Sequence, residues 1–121
     1  MSYAIYLFHP KVKKRSLQNK FSLDEFRHPK LTDEQISYFK KRLEAYEYQE
    51  LNIKDKVAEY EKYYEQCPVT VSIYETEIVF SVPYWKNSEE AIFEASMTVF
   101  EINDTQMFAI YNPQNGIWNE E

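Results

Sequence analysis

The chain has 121 residues and a formal net charge of −6, with 17% aromatic residues, a single glycine and a single cysteine. One cysteine excludes an internal disulfide and every multi-cysteine zinc pattern, and one glycine leaves no room for a Walker loop, a dinucleotide fingerprint or a hydrolase nucleophile elbow. Uninterrupted apolar runs, such as residues 4–8 and 78–80, fall far short of the roughly 20 residues that span a bilayer, and the first residues lack a basic lead and a small-residue cleavage site, so the expectation is one domain in the cytoplasm with no membrane contact.

Residues 3–8 form a compact aromatic and branched run ended by His9-Pro10, which predicts a first strand buried on both faces. Residues 11–20, rich in lysine and poor in apolar side chains, read as a solvated loop. Ser22-Leu23-Asp24-Glu25 fits a capping box opening a short helix before His28-Pro29. Thr32-Asp33-Glu34-Gln35 repeats that signal at the start of a longer helix, along which Ile36, Phe39, Leu43, Tyr46 and Leu51 recur near helical spacing. Residues 54–66 read as a polar helix with Val57, Tyr60 and Tyr64 on one face, and their tyrosine-rich alternation leaves an outer strand as the alternative.

Residues 69–74 and 77–82 are β-branched runs separated by Glu75-Thr76, a hairpin closed by Pro83. Ser88 caps a further helix with Glu89 and Glu90 in its first turn and Ala91, Ile92, Ala95, Val99 and Ile102 as its buried stripe, ending at Asp104-Thr105. Residues 107–111 form a last short strand, and residues 112–116 turn Ile117 and Trp118 back onto the body. The order of elements predicts a single α+β domain over residues 1–121, a mixed or antiparallel sheet covered by about three helices.

Charge is unevenly spread. Residues 1–58 carry 12 Lys/Arg against 8 Asp/Glu, a balance of +4, and residues 59–121 carry 2 against 12, a balance of −10. Such acidity argues against direct nucleic-acid binding, which depends on cationic side chains, and favours a basic partner. Glu75, Glu77, Glu89, Glu90 and Glu94 gather around the hairpin and the last helix start. As a pair of catalytic carboxylates they would need a cleft and a raised pKa, which the sequence does not show, so they read as an acidic face. Tyr84 and Trp85 leave a strand at a corner, either as exposed interface anchors or as lids on the core. His9 and His28 match no ligand spacing and read as structural, so no catalytic residue, metal or cofactor is expected.

Residues 1–8 (MSYAIYLF), 80–85 (FSVPYW) and 111–118 (YNPQNGIW) resemble segments of small acidic bacterial immunity-type proteins of toxin systems. That resemblance implies a non-enzymatic domain that binds and inhibits a cognate basic toxin, such as a nuclease. Glu75, Glu77, Glu89, Glu90 and Glu94 would then steer the encounter, and Tyr84 and Trp85 would anchor it. Two alternatives stand beside it: a small ligand-binding domain or enzyme acting on a sugar or nucleotide, and a homodimer joined through exposed tyrosines.

Overall fold

The computed structural model describes residues 2–19, 29–51, 57–84, 88–105, 107–114 and 116–118. In chain order they form β1 (Ser2–Phe8), α1 (Pro10–Asn19), α2 (Asp33–Ala45), β2 (Gln49–Leu51), β3 (Ala58–Tyr64), β4 (Cys67–Ile73), β5 (Glu77–Pro83) and α3 (Ser88–Ile102). A 3-10 turn, Asn103–Thr105, then leads to β6 (Ala109–Asn112) and β7 (Ile117–Trp118). The strands make one seven-stranded sheet in the order β2-β3-β4-β5-β1-β6-β7. Every pairing is antiparallel, so the fold is α+β, as expected, and the sheet is antiparallel rather than mixed.

Register decides which side chains share a face. Ile5 lies opposite Phe80, Phe80 opposite Val71 and Val71 opposite Tyr60, a row of inward side chains across four strands. All four are 5% exposed or less. Helices α2 and α3 cover this face, with Phe39 of α2 meeting Phe80 and Phe108 edge-on at 5.9 and 5.4 Å between ring centres. Burying each such ring is worth on the order of 2–3 kcal/mol. Phe8 alternates with Leu7 and therefore points to the opposite face. There it is buried, as are Val12 of α1 and Ala109 of β6, all three outside the main cluster. Helix α1 accordingly packs behind β1 and β6.

Two expectations are overturned. Residues 11–19 are not a solvated loop but most of α1, and residue 20 lies outside the described residues. Proline is tolerated at a first helical position, where its missing N–H has no partner to lose. His9 caps the turn: its Nδ1 accepts from the Lys11 N–H at 3.1 Å and its carbonyl from the Val12 N–H at 2.9 Å. The charge run concealed a helix whose contact with the sheet includes Val12, which is fully buried. Residues 58–64 are not helical but the strand β3, hydrogen-bonded on both sides. Tyr60 points into the core, and Glu59 turns to the other face, where the Ser72 hydroxyl donates to its carboxylate at 3.1 Å. Pairing with β2 and β4 outweighed the helical spacing of Val57, Tyr60 and Tyr64. Strand β2, which takes Leu51, was not foreseen. The short helix expected after Ser22 and the start of the 54–66 segment lie outside the described residues.

The α2 start follows its sequence signal. The Thr32 hydroxyl accepts from the Gln35 N–H at 3.0 Å, and the Gln35 carboxamide accepts from the Thr32 N–H at 2.8 Å. Gln35 also donates to the Met107 carbonyl at 2.8 Å, tying α2 to the segment that enters β6. Beside it, the buried Asn103 side chain accepts from the Phe108 N–H and donates to the Phe108 carbonyl, both at 3.0 Å. This amide replaces a strand partner where none is available. Among the described residues, no helix is long and apolar enough to cross a membrane.

Asn103→Ala would orphan two buried backbone groups at once. It should lower unfolding free energy by about 2 kcal/mol, read as a lower urea midpoint at unchanged slope.

Candidate functional site

The structure divides the candidate residues between two ends of the sheet. Glu75 and Glu77 lie at the β4–β5 turn, where they serve local contacts. The Glu75 carbonyl accepts from the Leu31 N–H at 2.8 Å, its carboxylate pairs with Lys30 at 3.4 Å, and Glu77 accepts from the Thr76 hydroxyl at 3.2 Å. Tyr84 follows the opposite end of β5, a strand of seven residues, about 20 Å away. Tyr84 is exposed there, as are Glu89 and Glu90 in the first turn of α3, and Glu94 follows one turn on, half-buried. Trp85 lies outside the described residues. Tyr84, Glu89, Glu90 and Glu94 therefore share one end of the molecule, and Glu75 and Glu77 do not belong to it.

What sequence reasoning missed is the outer face of α3. The helix turns Ser88, Ala91, Ala95, Thr98, Val99 and Ile102 inward onto β3, β4 and β5. These are mostly small. Its larger apolar side chains point the other way: Phe93 is 59% exposed, Met97 44% and Phe100 45%. Their spacing of four and three residues places them on one line along the helix. The signal was legible in the sequence, since a helix apolar on both faces must bury both or leave one unpartnered.

The two sides of this ridge differ. At about 100° per residue, Glu90, Glu94 and Glu101 fall along one flank, toward α2, and Glu89 falls on the other, in line with Ser96. There the Tyr46 hydroxyl donates to the Glu101 carboxylate at 3.2 Å. The nearby cations are engaged: Arg42 pairs with Asp104 at 3.3 Å and donates to the Glu101 carbonyl at 2.9 Å, and Lys62 donates to the Tyr46 carbonyl at 2.7 Å. Tyr46 first, then Asp104 and Tyr38, push the Arg42 pKa up and keep its guanidinium protonated. Along the other flank a cleft of about 120 Å³ opens between α3 and strands β1 and β6, lined by Tyr3, Ser96, Val99, Phe100, Ile110 and Asn112. The Tyr3 and Ser96 hydroxyls face each other across it at 3.4 Å.

The arrangement is suited to burying apolar surface beside fixed negative charge. The cleft is smaller than the roughly 300–1,000 Å³ of small-molecule sites, and among the described residues no carboxylate, histidine or cysteine lines it. Among the described residues, no three His, Cys, Asp or Glu side chains converge as metal ligands would. Cys67 is buried, and burial pushes its thiol up, away from the reactive thiolate. Comparison with models of protein families, with curated proteins and with solved structures gives no match.

Substitution distinguishes the two faces of α3. Phe93→Ser and Met97→Ser should change stability by no more than about 0.5 kcal/mol, whereas Ala95→Met should destabilise by about 1–3 kcal/mol through overpacking; chemical denaturation checks both.

His9 provides a pH test. Burial and the Lys11 ammonium hold its imidazole below its ordinary 6.5. The unfolded chain therefore takes up the proton first as pH falls, so the cap's contribution is complete above 6.5 and lost as pH drops through the folded value. His9→Asn keeps an acceptor that does not titrate. The thermal midpoint of the variant should fall less than that of the parent chain over this acid range.

Proposed function

We propose that this chain is a non-catalytic protein-binding domain that seats a basic protein on the outer face of α3 and inhibits it, as an immunity protein does its toxin. One observation carries this reading: Phe93, Met97 and Phe100 stand exposed in a line beside Glu90 and Glu94. Covering the exposed half of each side chain is worth roughly 1 kcal/mol, so the ridge contributes to the affinity a partner needs to offset lost translational freedom. The net charge of −6 supplies the steering, which raises association rates and selects against acidic partners.

Glu89, Glu90 and Glu94 take the steering role on this reading, and Phe93, Met97 and Phe100 join Tyr84 as anchors. A row of carboxylates also imitates the phosphates that a nuclease accepts, which makes a basic nuclease a fitting target. A protein of this kind acts by occupancy and needs no cofactor.

Co-expression with the product of the adjacent upstream reading frame tests the proposal. The expected result is rescue of host growth together with a co-purifying complex. Glu90→Lys with Glu94→Lys should slow association at least about tenfold at low salt and flatten its salt dependence. A complex that forms equally well with Phe93→Ser, Met97→Ser and the two charge reversals would refute this use of α3.

A further inference from the structure

Helix α3 has a shape as well as a charge, and the shape narrows the partner. The ridge from Phe93 to Phe100 is about 10 Å long and bordered on one side by the cleft against Tyr3 and Asn112. A ridge beside a groove is the surface on which a second helix packs, since rows of side chains on one helix seat in the grooves of another. An extended strand finds no comparable reward here, because the backbone N–H and C=O groups of a mid-helix segment are already paired within the helix.

We propose that the partner's contact element is a single amphipathic α-helix laid along α3. Its apolar stripe covers Phe93, Met97 and Phe100, one aliphatic side chain enters the cleft beside Phe100, and lysines or arginines line the edge that faces Glu90 and Glu94. The inference rests on the reading that this face receives a basic protein. The cleft, at about 120 Å³, accommodates one leucine-sized group, somewhat less than the roughly 150 Å³ of a cavity that binds benzene. The asymmetry of the ridge sets the polarity of the partner helix: its basic edge lies toward α2 and its inserted side chain toward β1 and β6.

A second copy of this chain fits poorly. In an antiparallel crossing about a two-fold axis, Glu90 and Glu94 of both copies fall on the same side of the seam and repel. In a parallel crossing they face Tyr3 and Asn112, neither of which is a cation. No lysine or arginine occurs within α3 itself, and each copy carries a net charge of −6.

The probe is a labelled synthetic peptide of about 18 residues, five helical turns, with leucines on one face and lysines along its edges. It is compared with a glutamate-edged counterpart and with a lysine-edged peptide broken by central prolines. Binding is followed by fluorescence anisotropy and by amide NMR shifts on the full chain. The helical lysine peptide should bind, shifting signals of Phe93, Met97, Phe100 and Tyr3, and Phe93→Ser with Met97→Ser should weaken it at least about tenfold. The glutamate-edged and proline-broken peptides should bind at least tenfold more weakly than the parent peptide.

Equal binding of the proline-broken peptide, shifts confined to another surface, or no binding at all would overturn the proposal. So would a dimer at the same concentrations that Phe93→Ser dissociates, since a second copy would then be the occupant. Failure of the helix proposal alone remains distinct: the co-expressed complex would still form and still be lost with Phe93→Ser, while no helical peptide bound. Failure of the underlying reading would leave that complex absent or indifferent to Phe93→Ser.

Discussion

The close seating of α3 on the sheet is the constraint on which the rest depends. Ala91, Ala95 and Thr98 present little bulk to β3, β4 and β5, so the core beneath is filled from the sheet side by Tyr60, Val71, Phe80 and Ile78, all fully buried or nearly so. A helix that packs through small residues does not need its large ones inside. Phe93, Met97 and Phe100 are thereby left about half in water, each forgoing roughly 1 kcal/mol that full burial would supply. Single exposed apolar residues are ordinary, but an aligned set bordered by acids is the pattern of a surface kept for a partner.

The surrounding structure holds that surface in place. Strand β1, the first in the chain, sits between β5 and β6, so Ile5 and Leu7 join segments distant in sequence. Asn103 fixes the exit from α3 by bracketing Phe108, and Gln35 fixes the same segment from α2. At the edge of β1, where β6 has turned away, the Gln114 side chain accepts from the Ala4 N–H at 2.9 Å and donates to its carbonyl at 2.8 Å, acting as a substitute strand.

Much of this was legible in the residues. The capping box at Thr32, the hairpin around Glu75-Thr76, the inward stripe of α3 and the return of the Gly116 N–H to the Asn112 carbonyl all follow from local chemistry, and each appears. Two elements were misread because local signals conflicted with tertiary ones. In α1 a dense run of lysines masked the burial of Val12, and in β3 a tyrosine-rich stretch satisfied helical and strand periods together until pairing with β2 and β4 decided it. The acidic residues could be counted from sequence but not grouped, because β5 carries Glu75 and Glu77 to one end of the sheet and Tyr84 to the other. The outward ridge of α3 was visible as surplus apolar residues, and attention to the inward stripe hid it.

The most direct test of the central claim is the exposure of Met97 in the free protein. Methyl NMR with a soluble paramagnetic relaxation agent reads it in dilute solution, against Met107, which is partly buried against the core. The account predicts strong relaxation of the Met97 methyl and weak relaxation of that of Met107. A Met97 methyl as shielded as that of Met107 would mean that the ridge is already covered, and would contradict the account.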